Sequence, residues 1–258
     1  MKKILLIISL FILSSCSLIS GQEDKKDLEL PKSYSEMKLD DYVDHLASFK
    51  RSYLSSQEVE QVFISYNDKK YLESLVDNLY KKNELFFADR SNVKFYIIKD
   101  SRPFHFSLPD KSIFISSGLL KKYIKSEKLL YCLLTYELIR SEKNIYKKIQ
   151  IVPTGSIDTN RMISLLRLDT KTKVEVHKWS FYILKRIGID IDNYLSWLQL
   201  QNRNSIDFST QIGDLGSISR EEALFKSFLI KNTSRKRTTM KYERSSRQFY
   251  NFINGIKS

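Results

Sequence analysis

Glycine is scarce in this chain, with seven in 258 residues, and proline is scarcer, with four. So few glycines leave no glycine-rich loop to cradle a phosphate, and there is no Gly-x-Ser-x-Gly segment to present a nucleophilic serine. Cysteine occurs twice, at Cys16 and Cys132, and histidine three times, at His45, His105 and His177. No cysteine stands beside a histidine that would activate it as a thiolate. With Cys16 engaged elsewhere, Cys132 has no partner for an intramolecular disulfide and reads as a small buried apolar residue. Internal repeats are absent, and no apolar run after the first sixteen residues is long enough to span ~30 Å of hydrocarbon.

What is present begins at the N-terminus. Lys2 and Lys3 precede an apolar run from Ile4 to Leu13, followed by Ser14, Ser15 and Cys16. A short apolar run behind two cations is the pattern of a secretory signal peptide; a transmembrane anchor would need a longer stretch. Leu13-Ser14-Ser15-Cys16 resembles the lipobox cut by bacterial lipoprotein signal peptidase. The resemblance implies cleavage before Cys16 and acylation of its thiol, and several buried acyl chains at ~0.8 kcal/mol per CH₂ make a permanent anchor. Ser17 is not the aspartate that typically retains such proteins at the inner membrane, so the expected location is the outer membrane, on its periplasmic face.

The formal charge is +13, and much of it gathers near the C-terminus. Lys231, Arg235, Lys236, Arg237, Lys241, Arg244 and Arg247 face Glu243 alone in that stretch. Such a run is either a solvated basic tail or a patch for anionic headgroups. Nucleic acid is not an expected partner, since no recognition motif accompanies the charge. The expected organisation is a signal peptide over 1–15, a lipidated tether over 16–32, a globular domain over 33–231 and a basic segment over 232–258.

Periodicity places amphipathic helices over 39–55 and 70–82, where Leu72, Leu75, Val76 and Leu79 share a face. The β-branched and aromatic run 93–99 predicts a buried strand, and 112–116 a shorter one after a Leu108-Pro109-Asp110-Lys111 turn. Helices are predicted again over 118–123, over 126–143 behind an N-cap at Ser126, over 171–187 ending at Gly188, over 191–201 and over 220–231. A looser region around Pro153 and Gly155 separates them. The class is α+β, predominantly helical.

Between Phe106 and Leu120 the chain reads Phe-Ser-Leu-Pro-Asp-Lys-Ser-Ile-Phe-Ile-Ser-Ser-Gly-Leu-Leu, followed by Tyr136-Glu-Leu-Ile-Arg140, then Glu175-Val-His177 and Gly188-Ile-Asp190. This succession, over roughly 70–201, resembles the zinc metallopeptidases of the CAAX prenyl endopeptidase family, the HtpX-like and BepA-like gluzincins. The resemblance implies a zincin-like fold with a small sheet and an active-site helix. It makes Ser112, Ile113, Phe114, Ile115 and Ser116 an edge strand that receives peptide, and matches Glu175 to the third zinc ligand and His177 to an aspartate that follows it.

Tyr136-Glu137-Leu138-Ile139-Arg140 stands where the family has His-Glu-x-x-His. Zinc needs imidazoles at i and i+4 with an open position for water, and a phenol and a guanidinium supply neither lone pair at neutral pH. Glu137 keeps the general-base position, but without a metal its water retains a pKa near 15.7. The expectation is therefore no zinc and no catalysis. If the fold is kept, Glu137 and Glu175 converge, Arg140 takes the place of the ion by pairing with Glu175, and Tyr136 caps the cluster; otherwise Glu137 and Arg140 form an exposed i, i+3 pair. His45, His105 and His177 are read as satisfied, partly exposed histidines, since His177 and Glu175, two residues apart, point in different directions on a helix. The expected partners are the membrane, through the lipid, and unfolded envelope polypeptides or a partner protease; an active metallopeptidase with an altered metal site is the competing reading.

Overall fold

A sheet of four strands lies between two helical layers in a computed structural model that describes residues 39–87, 93–146, 157–232 and 244–256. The signal peptide, Cys16 and the tether lie outside the described residues, as do Pro153, Gly155 and residues 233–243 of the basic run. The described residues belong to one compact unit that begins at Leu39. None of its helices is long and apolar enough to cross a membrane.

In chain order the elements are α1 (Leu39–Leu54), β1 (Gln61–Val62), α2 (Tyr66–Lys82), β2 (Lys94–Ile98), β3 (His105–Ser107), β4 (Ser112–Ser116), α3 (Ser117–Lys122), α4 (Glu127–Glu142), α5 (Thr159–Leu166), α6 (Thr170–Arg186), α7 (Ile191–Arg203), α8 (Ser209–Ile212), α9 (Leu215–Asn232) and α10 (Arg247–Gly255). The class is α+β and mostly helical, as the periodicity predicts. Strand order is β1-β2-β4-β3, with β2 and β4 parallel and both outer pairs antiparallel.

Ser112–Ser116 is therefore an internal strand, held by β2 on one side and β3 on the other and buried at all five residues. The expected edge position is corrected: β4 has no free side for an added strand. Its apolar run fits this place, because an internal strand covered on both faces needs no polar alternation. Ile113 and Ile115 enter the larger core with α2, α4, α6 and α9, while Phe114 faces the opposite way to meet Tyr53 of α1, Phe106 and Met162 of α5. The turn before β4 sits where the sequence put it, with Leu108 donating to Ser112 O and Lys111 at φ 60°. Gly118 lies where any Cβ would come 2.2 Å from Ser101 O, so α3 can lie against that loop only with glycine there.

Helix α4 starts behind Ser126, whose Oγ accepts from Leu129 N–H, as predicted. From Cys132 to Ser141 every residue is buried, because α4 runs between β3 and helices α6 and α7. Helix α6 ends in the loop geometry expected of Gly188, at φ 82°, with Ile189 N–H reaching back to Leu184 O. Five elements were not expected: the short β1, β3 and α8, then α5, within the region read as loose, and α10, within the basic C-terminal segment. Helix α10 packs on α2 through Phe249 and Phe252, and Glu127 accepts from Ser246 N–H and Oγ–H.

Candidate functional site

Period two along β3 turns His105 and Ser107 toward α4 and sends Phe106 to the α1 layer. On α4, Glu137 and Arg140 lie one turn apart and face the same strand. Glu137 is entirely buried, and its carboxylate is the centre of a cluster. His105 Nδ1–H donates to Oε1 at 2.5 Å, Ser107 Oγ–H to Oε2 at 2.7 Å, and Arg140 Nη1 to Oε2 at 3.2 Å. Burial alone would push this carboxyl upward, but Arg140, His105 and Ser107 outweigh it and hold the pKa at about 2.

Arg140 directs its second amino group to Leu166 O, at 2.7 Å, and its guanidinium lies over the rings of Tyr136 and Tyr146 at 5.7 and 5.5 Å. The expected Arg140–Glu175 pair is not formed. Glu175 is half-exposed and pairs with Lys178 at 2.6 Å. At 100° per residue Glu175 lies about 200° round α6 from His177, which carries it out of the interior. Nor is the exposed Glu137–Arg140 alternative right. That i, i+3 pair exists, but both side chains are buried.

The inward face of α6 carries Lys173 and His177, at i and i+4. His177 is buried, not partly exposed, and so is His105. Tyr194 of α7 stands 2.8 Å from His177 Nδ1, and Glu221 of α9 lies 3.4 Å from its Nε2. Burial lowers the His177 pKa against the opposing pull of Glu221, so the ring is neutral: Nε2–H donates toward Glu221, and Nδ1 accepts from the Tyr194 hydroxyl. Lys173 Nζ donates to the other Glu221 oxygen at 2.9 Å. Burial pushes Glu221 up, but His177 and Lys173 bring it below the ordinary carboxylate range. Tyr136 sits between the two histidines, its ring 5.9 Å from His105 and 5.3 Å from His177, and burial drives its hydroxyl pKa far up. A cavity of about 30 Å³, room for one water, separates His105, Tyr136 and His177 from Gln201 and Gln211.

Sequence reasoning groups Tyr136, Glu137 and Arg140 as the structure does, misplaces Glu175 and leaves out His177, which the fold brings beside Tyr136. It misses Ser107, Lys173, Tyr194 and Glu221 altogether. Lys173 was findable as the i−4 neighbour of His177, and Ser107 as the i+2 neighbour of His105. Tyr194 and Glu221 come from helices whose packing no local pattern announces. His45 lies apart from the cluster, edge-on to Phe49 in α1.

No protein-family model and no curated protein matches this sequence. The chemistry has to be taken from the geometry. Ser107 donates to the Glu137 carboxylate, which at a pKa of about 2 is too weak a base to draw off its proton, and no hydrogen bond joins Ser107 to an imidazole among the described residues. Among the described residues no three His, Cys, Asp or Glu side chains group as a metal site. Both carboxylates of the cluster already have a cation as partner, Arg140 for Glu137 and Lys173 for Glu221. The cluster is built to hold charge in place, and its polar contacts knit α4 to β3 and α6 to α9.

Proposed function

We propose that this chain is a lipoprotein of the bacterial envelope, anchored through Cys16 at the periplasmic face of the outer membrane. Its domain resembles a zincin-like metallopeptidase of the CAAX prenyl endopeptidase family but binds extended polypeptide without cleaving it. The observation that carries this reading is the state of Glu137. A general base must keep a free lone pair and a pKa near the working pH, and Glu137 is buried, saturated with donors and held at about 2. Zinc does not fit the residues present. A guanidinium lies against Glu137 where a ligand would be needed, the Tyr136 hydroxyl is far from ionising, and Lys173 places a second cation on the same side.

The polypeptide would be taken at the opposite edge of the sheet from the cluster. At β3, Gln211 Oε1 already accepts from His105 N–H, which occupies that edge. At the other edge β1 pairs only with Ile97 and Ile98, so among the described residues no strand lies against Lys94, Phe95 and Tyr96 on that side. Lys94 N–H turns inward to Lys111 O, and Lys99 N–H turns outward to Glu60 O, so by alternation the Phe95 peptide groups aim outward. They open on a groove of about 710 Å³ that also has Val62, Phe63 and Ile64 along it. Phe63 is 89 % exposed. A short edge strand beside unpaired backbone and an apolar rim suits β-augmentation by an extended chain.

Metal analysis and casein cleavage test the first half of the proposal. Stoichiometric zinc with chelator-sensitive proteolysis would overturn it in favour of an active enzyme with an altered metal site. Fluorescence anisotropy with reduced, carboxymethylated α-lactalbumin tests the second half. Phe95→Pro removes the outward N–H without touching bonds to β4 and should weaken binding about tenfold or more, whereas Phe95→Ala should stay within about threefold of the parent. Equal binding by all three proteins would remove the groove from the reading.

A further inference from the structure

The outward face of α6 carries a feature that the polypeptide groove does not use. Phe86, in the turn after α2, has its ring 5.2 Å from Trp179; Trp179 lies 6.3 Å from Tyr182, and Tyr182 lies 5.8 Å from Phe228 of α9. This ladder borders an open hollow of about 830 Å³. Trp179 is 49 % exposed, Tyr182 42 % and Leu85 92 %, so the apolar surface is presented to solvent. Its surroundings are cationic. Lys185 and Arg186 line the hollow, Lys143 lies over the Phe86 ring at 4.6 Å, and Lys178 over Phe228 at 5.8 Å. Of the nearby acids, Glu175 is already matched by Lys178, and Glu84 stands exposed beside Leu85.

We infer that this face docks on an anionic lipid bilayer, with Trp179, Tyr182 and Leu85 entering the headgroup boundary and Lys143, Lys185 and Arg186 meeting lipid phosphates. Trp and Tyr prefer the interface because each has an apolar body with one polar atom that stays wet. Cations around such a patch complement a negative surface and add to the apolar contribution. The charge complementarity favours lipid over a protein partner, because a typical protein interface has an apolar centre depleted of charge, whereas here long cationic side chains lie directly on the aromatic rings. The inference goes beyond polypeptide binding and stands on this surface alone; the anchor at Cys16 would only keep a bilayer within reach.

The chain has two tryptophans, and Trp197 is buried at 1 % exposure, so Trp179 is a built-in probe. The full chain bearing Cys16→Ser is mixed with vesicles of phosphatidylcholine alone or with one quarter phosphatidylglycerol, the lipids carrying bromine at shallow or deep acyl positions. We expect a blue shift and shallow-bromine quenching of Trp179 with the anionic vesicles only. The signal should vanish in Trp179→Phe, and Lys185→Glu with Arg186→Glu should reduce it about tenfold or more. Unquenched Trp179 emission, even from protein that sediments with the vesicles, overturns the inference, as does quenching that ignores the charge reversals. Circular dichroism of each variant excludes unfolding as the cause. Acylation of Cys16 is read separately, by mass spectrometry of the membrane-purified protein, so failure of the anchor and failure of the docking face give different results.

Discussion

Helix α6 presents opposite chemistry on its two sides. Its inner face sets Lys173, His177 and Ser180 into an enclosed interior where each of these side chains has a partner, and its outer face sets Glu175, Trp179 and Tyr182 against solvent. The same residue types mean different things on the two sides. A Lys–Glu pair with both side chains nearly enclosed, Lys173–Glu221, is costly to break. Lys178–Glu175 is an exposed i, i+3 pair whose loss should scarcely register. Conversely, an aromatic ring is ordinary within a core and is informative on the outside.

The comparison breaks most readily at Arg140, which serves the same interior. Arg140→Ala leaves Glu137 a buried anion without its guanidinium, held only by His105 and Ser107, and should cost about 3–5 kcal/mol in urea unfolding. Replacing both partners, as Glu137→Leu with Arg140→Met, should recover most of that loss. A single-variant cost below about 1 kcal/mol would mean the interior is wet. Acid should dissect the cluster next, and the sign follows from which state binds protons. The carboxyl of Glu137 has an ordinary value of 4.5 and is held at about 2 in the fold, so its ionised form stabilises the protein fully above 4.5. That contribution, on the order of 3 kcal/mol, is lost as pH falls from 4.5 toward 2.

His177 produces a separate, smaller step. Its pKa is lowered from 6.5 by burial, so the unfolded chain takes up the proton first and stability declines as pH falls below 6.5. Denaturation midpoints measured between about pH 8 and 3 should show this upper step in the parent and not in His177→Gln. The smallest effects belong to the outer face. Glu175→Ala should change stability by less than about 0.5 kcal/mol, and Trp179→Ser by less than about 1 kcal/mol, while the latter removes vesicle contact. A large stability loss at Trp179 would show that the aromatic ladder is a structural seam instead of a docking face.

Much of the local structure was legible. Ser126 and Gly188 mark helix ends because capping is settled by a few adjacent atoms, and the run 112–116 declares a strand through its β-branched content. The same run could not declare its position in the sheet. A continuous apolar strand fits either a covered edge or the middle, and only pairing with β2 and β3 distinguishes them. Helix α5 was hidden by the region around it, and α10 by the charge that precedes it. At the site, Tyr136, Glu137 and Arg140 were legible as a set, since one helix fixes their spacing. Glu175 misled because likeness to a motif ranked it above His177, when helical geometry allows only one of the two to face inward.

By itself the sequence determined most of the long helices, the two longer strands, the N-terminal pattern ending in Cys16, and the substitution of Tyr136 and Arg140 where two imidazoles would be needed. All of these follow from neighbours a few residues apart, within reach of local sterics and hydrogen bonding. Tertiary structure alone decided that Arg140 answers Glu137 in the interior and leaves Glu175 outside, that Lys173 and His177 share Glu221, and that Phe86, Trp179, Tyr182 and Phe228 form one surface. Most of those partners lie tens of residues apart, and whether a charge or a ring is buried or wet depends on how whole helices stack against the sheet.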